Sequence, residues 1–592
     1  MTTSDEGAPE DITTLLKEAE QADAATHLAE SLTNEVSETF CGAPTVPRAV
    51  RYATLEKARA LMWQTRLDEA EALVAPQARA DLGFMLSWTE IGLWRAALTE
   101  KAEHHDAVRA RIAVLDAHAT AAFDRLHPER ASRSASTLGW LTGQAAPEHP
   151  SAAALSPQER SLAFVDAALV GSFAPLARAL LDFRTATAQG IVTGGYYLRK
   201  AWKSFEYAHS VIQKEKDTDE HMRALLAFVF GAFQLAFSMV PPSLKWLVEL
   251  VGFRGGDHSL AYKELGIARR NPIIQREAIL LLSAVKFFFH GEKERAERWI
   301  EKLRNANPES PLIMSLSGTF CRAQGKCREA LTYYERALSF KFDAPQFLST
   351  IHYHYGMCQF VLNDWAGAAE HLSYFLEHTK GKVFRPYAAW RLGVAYWHLK
   401  KVDLIAPLYE KALGWLRPHE AFDQYAEFRI KKFLAARKYD ALEELLDAAE
   451  ALHEGHEDRR ALELLDQVAP LLKSEFPARD NFAMLFYLKG ACLRRLPGQS
   501  ERAHKFLRSA IGELNKTETK PHYAVAYALV NLGELLEEEG KAADARKAWD
   551  EAKQLRGFMW ERMLTTRINA DIEKIERKSK PALVATEDDL SE

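Results

Sequence analysis

Small residues return through the second half of this chain at an interval that suits a stack of helix pairs. Ala296 and Ala330 lie 34 residues apart, and one skeleton recurs around such alanines: a glycine twelve residues before, a bulky residue four after, and a small one three further on. Small side chains are needed where two helices cross, and large ones where a pair packs on its neighbour. Apolar residues keep the helical period over most of 11–577, and no sustained strand alternation interrupts them. The expected fold class is therefore all-α.

Several segments carry the skeleton. Leu532-Gly533, Gly540, Ala545, Trp549 and Ala552 fit best, and Gly318, Gly325, Ala330, Tyr334 and Ala337 nearly as well. Gly291, Ala296, Ile300 and Pro308 supply the second half of a preceding unit. Gly356, Ala368 and Leu372 continue the series with Phe375 in the last small position. Leu392-Gly393, Tyr396, Tyr409 and Ala412 follow with Ile405 replacing alanine, and Pro418 comes near the end of that unit. Gly490, Ala503, Leu507 and Ala510 fit with one residue inserted at Pro497-Gly498. This resembles the tetratricopeptide repeat and predicts a tetratricopeptide-like helical-repeat solenoid over 271–577.

A chain of 592 residues is longer than one core usually serves, which favours several domains or an elongated array. With 47% hydrophobic and 27% charged residues, wholesale disorder is excluded. The net charge of −5 supplies no basic field for phosphates, so nucleic acid is not an expected partner. Five cysteines without a CxxC pair point to a reducing compartment. Residues 1–10 are polar and acidic, lack a signal or transit profile and read as disordered, which predicts a cytoplasmic protein. An N-terminal helical region is expected over 11–126 and a disordered Ser/Ala/Pro-rich loop over 127–157. A second helical region, packed around a buried apolar hairpin, should fill 158–270, and a disordered tail 578–592.

Residues 224–240 contain no charge and form the only run read as a candidate membrane span. A span needs about 20 apolar residues. This run is interrupted by Gly231, Gln234 and Ser238 and stopped by Pro241-Pro242, with an amphipathic stretch at 244–251 beyond. A buried core helix gives the same signal. Both readings stand, with the buried one preferred.

Candidate chemistry dissolves on inspection. His453-Glu454-Gly455-His456 has its histidines three apart, where a zinc-protease helix needs four, and reads as a surface turn. His352 and His354 point in different directions on a helix. Gly318, Gly325 and Lys326 lack phosphate-loop spacing, with Cys327 where Ser or Thr would hold magnesium. Cys321 and Cys358 fall in first helices of repeats and read as buried apolar groups. Lys574, Arg577, Lys578 and Lys580 read as a solvated helix end. No catalytic residue, metal ligand or cofactor is expected, and the protein is read as no enzyme.

The concave wall of such a stack comes from positions 2, 5, 9 and 12 of the first helices. In the central units these include Leu312, Ser315, Thr319 and Arg322, then Tyr353, Met357 and Phe360, then Tyr387, Trp390, Val394 and Trp397. Tyr353, Met357, Phe360, Tyr387, Trp390 and Trp397 are the expected partner-binding groove, for a protein or an apolar ligand. Self-filling by the chain's own helices is an equal alternative.

Two upstream blocks are more specific than any repeat. The first is Gly194-Gly195-Tyr196-Tyr197-Leu198-Arg199-Lys200-Ala201-Trp202-Lys203. The second contains Phe230-Gly231-Ala232-Phe233, Ser238-Met239-Val240-Pro241-Pro242, Val251-Gly252-Phe253 and Gly255-Gly256-Asp257. Together with Gly557-Phe558, Glu561, Leu564 and Arg567-Ile568 near the end, they resemble the tetratricopeptide repeat protein 39 family, which includes the fungal inclusion body clearance proteins. The resemblance implies a non-enzymatic adaptor or scaffold for protein partners. It also implies ties to lipid metabolism, lipid droplets, protein inclusions and, in one branch, cilia. Placement at the mitochondrial outer membrane or on lipid droplets is a further implication. The alternatives are a membrane-anchored outer mitochondrial membrane protein using 224–240, and a lipid- or sterol-binding helical protein. The oligomeric state is left open.

Overall fold

The computed structural model describes residues 36–37, 40, 42–126, 150–185, 187–214, 219–239, 256–288, 292–417, 420–474, 479–517 and 522–579. Among the described residues every regular element is helical and none is a strand. Of the disorder expected at 1–10, 127–157 and 578–592, residues 1–10, 127–149 and 580–592 lie outside them, as does the stretch at 240–255, while 578–579 are helical, which corrects the start of the tail. The chain divides into two compact units, residues 1–282 with 342–344 and residues 283–341 with 345–592.

The first part of the chain forms α1 (Arg48–Trp63), α2 (Leu67–Val74), α3 (Leu82–Thr99), α4 (Ala102–Leu126), α5 (Pro150–Ala153), α6 (Pro157–Arg184), α7 (Ala188–Lys214), α8 (Glu220–Ser238), α9 (His258–Ala268) and α10 (Gln275–Phe288), the last containing the division at 283. Several starts are written as caps. Asp81 accepts from the Gly83 amide at 2.8 Å, Asp219 from Met222 at 2.8 Å, and Asp257 from Leu260 at 3.0 Å. Residues 150–157, expected within the disordered loop, instead hold α5 and the start of α6. There Ser156 and Glu159 cap each other reciprocally.

The two family blocks are packing partners. Trp202 on α7 stacks on Phe230 of α8 with centroids 5.4 Å apart and planes 15° apart, and lies 5.4 Å from Phe233. Gly231 lets α9 approach: a methyl group there would stand 2.9 Å from Leu265 and 3.1 Å from the Ala261 carbonyl. The expected apolar run is thus built into the core of the first unit, where Leu226, Val229, Phe230 and Phe233 are buried. It is not unique, which corrects the sequence reading. α6 is a second helix long and apolar enough to cross a membrane, and it is the more buried of the two.

A buried ionic network ties α1 to distant helices of the same unit. The Arg51 guanidinium lies 2.6 Å from Asp166 on α6 and 3.1 Å from Asp81, with all three side chains under 5% exposed. Arg48 bridges Asp166 at 3.3 Å and Asp219 at 2.7 Å. Arg59 joins Glu90 at 2.6 Å and Glu277 at 3.4 Å.

The second part continues with α11 (Lys293–Ala306), α12 (Pro311–Ala323), α13 (Cys327–Leu338), α14 (Pro345–Val361), α15 (Trp365–His378), α16 (Arg385–His398), α17 (Ile405–Leu413) and α18 (Ala421–Ala436). It ends with α19 (Ala441–Glu454), α20 (Asp458–Ser474), α21 (Arg479–Arg494), α22 (Ser500–Ile511), α23 (Tyr523–Glu538), α24 (Ala542–Gln554) and α25 (Glu561–Ser579). Each glycine at a helix crossing, twelve or thirteen residues before the facing small or β-branched residue, meets the bulky residue of its own unit. A methyl group at Gly318 would stand 2.7 Å from Tyr334, at Gly490 2.7 Å from Leu507 and at Gly356 3.0 Å from Leu372. At Gly393 and Gly533 it would overlap Tyr409 and Trp549 outright. Ala296, Ala330, Ala368, Ile405, Ala503 and Ala545 are all 0% exposed at the facing position. One further pair, α19 with α20, follows the same spacing with Ala449, Ala461, Leu465 and Val468, all buried.

Candidate functional site

Of the two readings of the aromatic wall, an open partner-binding groove and one filled by the chain's own helices, its burial favours the second and corrects the first. Tyr353, Met357, Phe360, Tyr387 and Trp390 are between 2% and 6% exposed, and Trp397 is partly buried. Their cover comes from the same unit. Tyr353 stacks on Phe384 at 4.9 Å, Trp390 meets Tyr425 of α18 at 5.1 Å, and Arg391 lies 4.5 Å over the Phe360 ring. Trp397 donates through Nε1 to Glu444 of α19 at 2.8 Å. Between the α16–α17 and α19–α20 repeats the chain inserts α18, and α18 and α19 lie on that wall. Exposed aromatic surface of this size would be costly to leave wet, so the chain fills it.

Polar groups line the rest of the interior. Arg429 of α18 pairs with Asp447 of α19 at 2.9 Å, and the Tyr523 hydroxyl donates to Glu450 at 3.3 Å. Burial, reinforced by Glu454 and Asp447, holds the Glu450 carboxyl up to about 8 against an ordinary 4.5. The folded state therefore binds more protons than the unfolded one between those values, so stability falls as pH rises from about 4.5 to about 8. Glu450→Gln, which keeps the neutral shape, is expected to flatten that fall in urea midpoints measured against pH. A slope equal to the wild type's would remove Glu450 from the account.

Beyond the filled wall the second unit carries an open cleft of about 1250 Å³. It is lined by the ends of α12, α19 and α21, by α23 and α25, and by Phe287 and Phe288 at one side. Its carboxylates are engaged. Glu454 faces Arg391 at 3.7 Å, Glu457 faces Arg328 at 2.7 Å, Glu534 faces Arg494 at 2.7 Å and Arg567 at 2.5 Å, and Glu538 faces Arg494 at 2.6 Å. Three cations on the same wall, Lys293, Arg322 and Arg459, have no carboxylate at ion-pair distance among the described residues. Burial, and then repulsion from Arg567, pulls the Lys293 ammonium below its ordinary value, against the opposing pull of Glu534 and Asp571.

Arg322 belonged to the concave positions read from the sequence; the other cavity residues did not. The same spacing carried into the later units places Glu450 and His453, Arg494, and Glu534 and Glu537 at positions 9 and 12, so the signal was present. The surface turn expected at 453–456 holds in part: Gly455 and His456 form a turn, and Glu454 and His456 are exposed, but His453 is helical and buried. His453 closes α19, is 6% exposed, and its Nδ1 lies 2.6 Å from Asp458 and 3.5 Å from the Cys492 sulfur. A nucleophile–base–carboxylate relay needs the two opposite ring nitrogens; here both partners share one, so this trio cannot work as a hydrolase triad. Cys321 and Cys358 lie within α12 and α14, and burial pushes both thiols up, to about 12 for Cys321.

Helix pairs crossing on a glycine, stacked in series and closed by a final helix, define a tetratricopeptide-type helical-repeat protein. The sequence profile of the Iml2/Tetratricopeptide repeat protein 39 family matches residues 155–496, more than half of the chain. The chain belongs to that family. Among solved structures it is similar to yeast Tom70, at 14% identity and a TM-score of 0.25, over 92% of this chain and 100% of that one. It is also similar to the P58(IPK) TPR domain, at 12% identity and a TM-score of 0.19, over 69% and 99%. The APC/C hetero-tetramer Cut9-Hcn1 matches at 11% identity and a TM-score of 0.20, over 84% and 95%.

Proposed function

We infer that this protein is a non-enzymatic adaptor whose second unit receives an acidic, extended segment of a protein partner in the 1250 Å³ cavity. The observation that carries this reading is unequal pairing on a wall whose seven carboxylates and six cations nearly balance: the acids named above are engaged, while Lys293, Arg322 and Arg459 have no carboxylate at ion-pair distance among the described residues. Side-chain carboxylates arriving on an extended backbone would pair with those cations. Phe288, exposed beside the cavity, supplies apolar contact for the flanking residues.

The family resemblance supports a cytoplasmic placement at the mitochondrial outer membrane or on lipid droplets, with a role in lipid metabolism or clearance of protein inclusions. A second reading, anchoring through residues 224–240, is supported by the length and apolarity of α8 and opposed by the burial of Phe230 and Phe233.

The test is proximity labelling in the source cells followed by direct binding of the recovered partners. The double variant Lys293→Glu/Arg322→Glu is expected to lose those partners by about tenfold or more in affinity. It should keep its helical signal. Unchanged recovery would overturn the cavity as the docking site.

A further inference from the structure

We propose that His453, Asp458 and Cys492 form a divalent transition-metal site, of zinc type, on the wall of the second unit's cavity. Nδ1 of His453, a carboxylate oxygen of Asp458 and the Cys492 sulfur lie within 4.8 Å of one another, and all three residues are buried. They come from three elements: the last turn of α19, the first residue of α20, and α21. Imidazole, carboxylate and thiolate together form a donor set for Zn²⁺ or its neighbours, and not for calcium or magnesium.

The spacing fits. Zinc bonds of about 2.0–2.1 Å to nitrogen and about 2.3 Å to sulfur place those ligands about 3.5 Å apart in a tetrahedron. The nitrogen–sulfur distance is 3.5 Å. The nitrogen–oxygen distance of 2.6 Å is that of a hydrogen bond, and the carboxylate must swing outward by less than about 1 Å to bind a shared ion. Asp458 also lines the cavity, so an ion has an entry path and a water has room as fourth ligand.

The protons balance simply. Binding releases the Cys492 thiol proton to solvent, and the His453 ring moves its proton from Nδ1 to Nε2 so that Nδ1 offers its lone pair. One proton leaves per ion. The competitor is built in: Arg495 donates to the His453 carbonyl at 2.7 Å, and its guanidinium lies 3.6 Å from Asp458. The metal must displace that guanidinium from the carboxylate.

The experiment titrates the chelator-treated full chain with Co²⁺. One equivalent should produce an intense near-ultraviolet thiolate-to-cobalt band that Zn²⁺ then abolishes. Cys492→Ser should lose the band while circular dichroism stays that of a folded helical protein. Arg495→Gln keeps every ligand and should tighten Co²⁺ binding by about tenfold, because a cation beside the ion is removed. Absence of stoichiometric binding, or a band that survives Cys492→Ser, overturns the site. Should Cys492→Ser fail to fold, Arg495→Gln decides, and unchanged or weaker binding there overturns it as well.

Discussion

Arg51→Ala should lower the stability of the first unit by about 3–5 kcal/mol, the cost of leaving a buried charge without its partner. The substitution leaves Asp81 and Asp166 facing each other with side chains 1% and 4% exposed. Among the described residues the ion pairs of Arg48 are with Asp166 and Asp219 and not with Asp81. Burial already pushes the Asp166 carboxyl above its ordinary value against the opposing pull of Arg51 and Arg48, so the pair is expensive to hold. Breaking it from one side is worse than removing it whole. Adding Asp166→Asn to Arg51→Ala should therefore return part of the loss. Denaturation followed by circular dichroism reads both effects. A single-variant loss under about 1 kcal/mol would mean that water or a neighbour satisfies the orphaned acids.

Trp390→Ala should be nearly as damaging, at about 3–5 kcal/mol, the range for emptying a buried aromatic site. Trp390 is 2% exposed, packs on Tyr387 and Tyr425, and lies under the guanidinium of Arg391 at 4.5 Å. A groove residue open to partners would give the opposite pattern, with binding lost and the melting temperature kept. Trp390→Phe should cost far less, because the indole nitrogen has no hydrogen-bond partner to lose. A stable Trp390→Ala protein with unchanged melting would show that α18 and α19 do not cover this wall.

Those two variants mark where sequence reading succeeds and where it stops. The crossings of the repeats were legible because glycine and its bulky partner sit within one unit: Gly318 with Tyr334 and Gly533 with Trp549 obey a fixed offset. The pair α19 with α20 escaped because Ala449 stands where the pattern asks for glycine, although Ala461, Leu465 and Val468 keep the rest. Missing that pair also hid what fills the wall, since α18 and α19 lie there by virtue of the stack's long-range geometry. The Arg51 network had no local signal at all, because Asp166 is 115 residues away. The family blocks were recognisable as blocks, but the contact between Trp202 and Phe230 gives them a physical meaning.

α25 carries a last consequence. A series of like modules has no inherent stopping point, and its terminal face would welcome another copy. Leu564, Ile568 and Ile572 lie against the closing pair, while Arg562, Asn569 and Glu573 turn a polar side outward. With one apolar face on the stack and a polar face outward, α25 has the character of a capping element of such an array.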